Sequence, residues 1–141
     1  PSLWRRFIKP RMKAVVESAR NRGCHVLFHT DGDCEPIIPD LIEIGVDALN
    51  PVQPECMDPA RIKKLYGEKL TLSGTISVQT TLPKGDIQEI ESNVKARLKT
   101  CGPGGGFILS PTNQTLLDTK PESFVTVYDT ARRWGRYPLS L

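Results

Sequence analysis

Four times along this chain a short apolar run ends in a cluster of small and polar residues and gives way to an amphipathic segment. The first instance is the clearest. Val26, Leu27 and Phe28 make a run short enough for a strand buried on both faces, and it ends in His29, Thr30, Asp31, Gly32 and Asp33. An amphipathic segment from Ile37 to Ile44 follows, with Pro39 near its first turn and Gly45 as its stop. Ala48 and Leu49 then open a second strand that again ends in polar groups, Asn50 and Gln53. Strand, polar tip, helix, strand is the order of a βα unit, whose chemistry collects beyond the carboxyl ends of the strands.

The remaining segments repeat the order. Ahead of the first strand, Ser2 stands where a cap for a short helix carrying Trp4 and Phe7 would be, and Pro10 marks a new helical start. Met12, Val15, Val16 and Ala19 then make one apolar stripe, and Gly23 ends it. Asp58 and Pro59 begin a helix with Ile62, Leu65 and Tyr66 on its buried side and Gly67 at its end. A third strand at residues 70–73 leads to the tip Gly74, Thr75, Ile76, Ser77. The segment from Asp86 to Lys99 carries Ile87, Ile90, Val94 and Leu98 on one face, and the glycine-rich run at 102–106 breaks it. A fourth strand starts at Phe107 and ends at Ser110 to Gln114. The last helix starts near Pro121, with Phe124, Val127, Tyr128, Ala131 and Trp134 inward. Four strands are expected near residues 25–29, 48–52, 70–73 and 107–110.

Four consecutive βα units admit a small doubly wound sheet or half of an eight-stranded barrel, whose full size is roughly 250 residues or more. Polar tips on all four strands lean toward the half-barrel, because an open sheet concentrates its site at one switch point. The 141 residues read as a single domain with a parallel sheet. Hydrophobic content of 38% and charged content of 25% fit a soluble fold, and no run approaches a membrane span. The first residues lack the apolar centre of a signal peptide, so a cytoplasmic protein is expected. Cys24, Cys34, Cys56 and Cys101 form no C-x-x-C pair and read as reduced thiols. Residues 1–22 carry seven basic side chains against Glu17 alone. Without interleaved aromatics they read as the solvated face of a helix, and no nucleic-acid partner is expected.

The segments HVLFHTDGD (25–33), IIPDLIEIGVDALNPVQPE (37–55), LYGEKLTLSGTIS (65–77) and GPGGGFILSPTNQ (102–114) resemble, in this order and spacing, the uroporphyrinogen decarboxylase superfamily. They look most like its methylcobamide:coenzyme M methyltransferase-like relatives. The resemblance implies half of a (β/α)8 barrel, the carboxyl-terminal half. It further implies cofactor-free decarboxylation of tetrapyrrole carboxylate side chains or, alternatively, corrinoid-dependent methyl transfer. A non-catalytic ligand-binding half-barrel is the third reading. Substrate-holding arginines and the catalytic aspartate of the decarboxylases lie in the other half. Zinc-dependent members place a His-x-Cys pair at the fifth strand's tip and another cysteine after the eighth. Here His29 is retained, Asp31 stands at the first cysteine and Asn113 at the second. A thiol-activating zinc set is therefore absent, and a site on His29 and Asp31 is the weaker alternative to no cofactor. Where relatives read Gly-Gly-Ile-Asp, this chain has Gly74, Thr75, Ile76 and Ser77, which adds a side chain at the barrel mouth and removes a charge.

The candidate catalytic pair is His29 and Asp31, because an imidazole exchanges protons near neutral pH and two carboxylates lie within four residues of it. Asn50, Gln53, Ser77 and Asn113 are expected as polar lining for a small, anionic ligand. Asp33 reads better as a turn former beside Gly32. The glycine run at 102–106 is a weak phosphate cradle, since it precedes a strand. An uncovered apolar inner sheet face would call for a homodimer or for the missing amino-terminal half.

Overall fold

The computed structural model describes residues 1–140 and contains one sheet of four parallel strands. They are β1 (Leu27–His29), β2 (Ala48–Asn50), β3 (Thr71–Ser73) and β4 (Phe107–Ile108), adjacent in chain order. The absence of a reversal removes the doubly wound alternative. This is an open half of a (β/α)8 barrel. Each strand is shorter than the span expected for it, β1 and β3 at the amino end and β2 and β4 at the carboxyl end.

Helix α1 (Ser2–Phe7) runs almost directly into α2 (Lys9–Arg20), which precedes β1. The expected cap from Ser2 is not made: the capping position falls on Pro1, and no side chain serves it. Helices α3 (Ile38–Glu43), α4 (Pro59–Tyr66) and α6 (Ile87–Cys101) are the three crossovers, and α7 (Pro121–Trp134) follows β4. A 3-10 turn at Glu35–Ile37 and a short helix, α5 (Thr81–Lys84), sit in the loops after β1 and β3. Neither has enough residues to display a period, so both escape a pattern reading.

Register explains the layers. Phe28, Leu49, Leu72 and Phe107 lie side by side across the strands and face the helices. There they meet Ile38, Leu41 and Ile62, all fully buried. A second cluster joins Ile90, Val94 and Leu98 of α6 to Val127 of α7. The alternate positions face the barrel interior: Leu27 and His29, Ala48 and Asn50, Thr71 and Ser73, then Ile108. That face is small and polar rather than the apolar surface expected, with only Leu27 and Ile108 as large exposed apolar groups.

The basic amino-terminal segment is partly structural. Arg5 and Lys9 hold Asp40 at 2.8 and 2.7 Å, and Lys9 also reaches Glu43, stapling α1 and α2 to α3. Arg20 pairs with Asp47, whose other oxygen accepts the Val26 N–H at 2.7 Å at the entrance to β1. Those bonds hold the Asp47 carboxyl below its usual range, the Val26 N–H foremost. Lys63 of α4 donates to the Gly105 carbonyl, and the Gly106 carbonyl accepts from Leu72. The glycine run thus feeds the amino end of β4, opposite the rim, and does not form a phosphate cradle there.

Candidate functional site

The strand ends are tied by one row of hydrogen bonds that crosses the sheet. His29 Nδ1 lies 2.6 Å from Asn50 Oδ1, the Asn50 amide donates to Ser73 Oγ at 3.0 Å, and Ser73 Oγ lies 3.4 Å from Ser110 Oγ. The Gly74 N–H closes the row by donating to Ser110 Oγ at 3.1 Å. The row exists because these residues are in register or within two positions of the paired strand ends. A side chain at Gly74, whose φ is +68°, would meet the Asn50 amide at 2.8 Å, so glycine is required there.

Asn50 thereby fixes one face of the imidazole and leaves Nε2 pointing at Asp31 Oδ2, 3.7 Å away. With Asn50 Nδ2 spent on Ser73, its oxygen accepts from Nδ1–H, so neutral His29 keeps a free Nε2 lone pair. Both side chains are about half exposed and open to a ligand, at 46% and 58%. Asn113 reaches across from the loop after β4, its amide 3.4 Å from both Asp31 oxygens. Beneath this pair lies a cleft of about 490 Å³ lined by Asp31, Gln53, Gln79, Asn113 and Gln114, with Val78 and Leu116 as apolar wall. No lysine or arginine is among the described residues that line it.

His29, Asp31, Asn50 and Asn113 are linked through these contacts, but of the four only Asp31 and Asn113 line the cleft. Gln53 lines the cleft while its oxygen accepts the Gly32 N–H at 3.1 Å, so it also fixes the loop that carries Asp31. Ser77 is not on the rim surface. It is 2% exposed, donates to Glu55 and accepts the N–H groups of Gln79 and Thr80. Burial pushes the Glu55 carboxyl up, but the bond from Ser77 and its other hydrogen bonds outweigh that and hold it low. Asp33 accepts the Glu35 N–H at 3.0 Å, the turn-forming role expected of it. Thr75 is fully buried and adds nothing to the mouth. Ser73 and Ser110 were missed: an isolated serine at a strand end carries no signal until register sets it beside Asn50.

Zinc does not fit this donor set. His29 and Asp31 are two ligands where zinc takes three or four from the protein, and no group of three His, Cys, Asp or Glu side chains converges among the described residues. Cys34 lies buried with its sulfur 3.8 Å from Met57 Sδ, and burial pushes its thiol up to about 11, far from a thiolate ligand. Among the described residues no helix is long and apolar enough to cross a membrane.

The chain is similar to two curated proteins named methylcobamide:CoM methyltransferase MtaA, one from Methanosarcina barkeri and one from its strain Fusaro. It is 29% and 30% identical to them over 111 residues, which is 79% of this chain and 30% of theirs. The fold matches a solved methyltransferase from Methanosarcina mazei with a TM-score of 0.78 at 21% identity, covering 94% of this chain and 37% of that one. The chain therefore spans about a third of the length of these relatives. The sequence profile of the family described as uroporphyrinogen decarboxylase (URO-D) matches residues 1–134. With four ordered βα units and a match over nearly its whole length, the chain belongs to the uroporphyrinogen decarboxylase family.

Proposed function

We propose that this rim is the carboxyl-terminal wall of a small-molecule site for cofactor-free decarboxylation of tetrapyrrole carboxylate side chains. One observation carries the reading: Asn50 holds His29 with its second nitrogen 3.7 Å from Asp31, and Asp31 lines an amide-rich cleft. Decarboxylation of a carboxymethyl group releases carbon dioxide and requires one proton at the carbon left behind. An imidazole can hold that proton near neutral pH, and an adjacent carboxylate favours positive charge that develops nearby. Asn113 and Gln53 can orient a ligand but cannot exchange a proton. The cleft supplies no cation, so the carboxylates of an anionic ligand would be gripped from beyond these residues.

Methyl transfer is the second reading, favoured by the names of the curated relatives. Against it, the usual route through a metal-activated thiol needs soft ligands, and the position beside His29 holds Asp31. The test is an assay of the chain joined to a family first half, with uroporphyrinogen and, separately, with methylcobamide and coenzyme M. Carbon dioxide release is expected. Thiol methylation without it would establish the second reading in its place.

A further inference from the structure

The loop after β2 makes a tight turn, in which the Gln53 carbonyl accepts the N–H groups of Cys56 and Met57 at 3.0 and 2.9 Å. Two of its side chains reach to different neighbours. Gln53 accepts the Gly32 N–H from the loop that carries Asp31. Glu55, itself exposed, reaches the loop after β3, where its Oε1 accepts from Ser77 and, at 3.2 Å, from the Thr80 hydroxyl.

Ser77 Oγ has one proton and two lone pairs. The N–H groups of Gln79 and Thr80 donate to it at 3.0 and 2.9 Å and occupy both lone pairs, so its proton must go elsewhere. Ser77 is 2% exposed, so solvent does not compete for that proton, and Glu55 receives it. Glu55 thereby turns the hydroxyl so that its lone pairs meet the two N–H groups. The Thr80 hydroxyl also lies 2.9 Å from Ser77 Oγ, but with both lone pairs used its proton belongs on Glu55. The turn fixed in this way carries Val78 and Gln79, and both line the cleft. Thr112, another lining residue, accepts the Val78 N–H at 3.3 Å from the loop after β4. The bonds of Gln53, Glu55 and Thr112 therefore join the four loops that line the cleft.

We propose that Glu55 is a positioning residue of the cleft: through Ser77 and Thr80 it sets the 77–80 turn and with it the places of Val78 and Gln79. This rests on the reading of the cleft as the ligand site. His29 is held by a separate row of bonds, through Asn50, Ser73 and Ser110, in which Glu55 has no part. Loss of Glu55 should therefore weaken ligand binding and spare the proton step.

The experiment compares Glu55→Ala with Glu55→Gln. Glutamine keeps an oxygen for the two hydroxyls, whereas alanine leaves the buried Ser77 proton without an acceptor. In the chain itself, Glu55→Ala should speed amide exchange at Gln79 and Thr80 by about tenfold or more and leave Leu72 of β3 unchanged. Glu55→Gln should restore most of that protection. In the chain joined to a family first half, Glu55→Ala should raise KM for uroporphyrinogen by about tenfold with kcat unchanged. Unchanged exchange at Gln79 and Thr80 in a folded Glu55→Ala chain would overturn the proposal. Equal acceleration at Leu72 would overturn it too, because it marks a general loss of stability, as would a fall in kcat with KM unchanged. Should Glu55→Ala not fold, Glu55→Asp, whose carboxylate stops one methylene short of Ser77, is read by the same outcomes. If no joined barrel turns over uroporphyrinogen while Gln79 and Thr80 respond as expected, the ligand reading fails and the positioning of the turn stands.

Discussion

At the scale of single residues, the site is a row of short polar groups whose positions the sheet dictates. Gly74→Ala tests how tightly that row is built. Its Cβ would meet the Asn50 amide at 2.8 Å and the Pro51 Cα at 3.1 Å, at a φ that L side chains rarely adopt. A destabilisation of about 1–2 kcal/mol or more in urea unfolding is expected, with altered His29 ring signals. Asp40 gives a pH test. The hydrogen bond from Lys9 foremost, helped by Arg5 and opposed by burial, holds its carboxyl below the ordinary 3.8. A lowered folded-state value contributes stability above 3.8 that is lost as pH falls through the folded value. Unfolding midpoints should therefore drop on acidification below about pH 4, and Asp40→Asn should flatten that part of the curve. His29 and Asp31 were legible because they sit two apart at a strand end. The contact of Asp31 with Asn113, 82 positions away, was visible only as a shared rim, because nothing local encodes it.

At the scale of elements, the strongest local signals were those with their own chemistry. Asp58 caps α4 through the Ala60 N–H. Asp86 and Glu89 form a reciprocal capping box at the start of α6. Asp86→Ala should cost about 1 kcal/mol in thermal unfolding and spare the rim, since only that terminus loses its partners. Apolar stripes read less well. Val16 of α2 is buried but Val15 is 71% exposed, and Leu65 of α4 is 53% exposed. A stripe counts apolar residues on one face, while packing decides how wide that face is. An edge helix such as α2 has a neighbour on one side only, so its covered stripe is narrower than its apolar one. The same geometry leaves Phe124 and Tyr128 of α7 over a third exposed, although Val127 beside them is fully buried.

At the scale of the whole molecule, strand order was legible because consecutive right-handed crossovers leave a barrel segment little choice. The character of the inner face was not. Serine, threonine and alanine at Ser73, Thr71 and Ala48 are interspersed with leucines that face the helices, and only register sorts them. In the function we propose, ligand chemistry waits on closure of the barrel and His29 is its proton-handling group. The direct measurement is uroporphyrinogen turnover per folded molecule for the closed barrel, its His29→Ala variant and the chain alone. Turnover by the closed barrel, a loss of about 100-fold or more on His29→Ala with an unchanged melting temperature, and none from the chain alone are predicted. Undiminished turnover in a folded His29→Ala barrel, or full turnover by the chain alone, would contradict it.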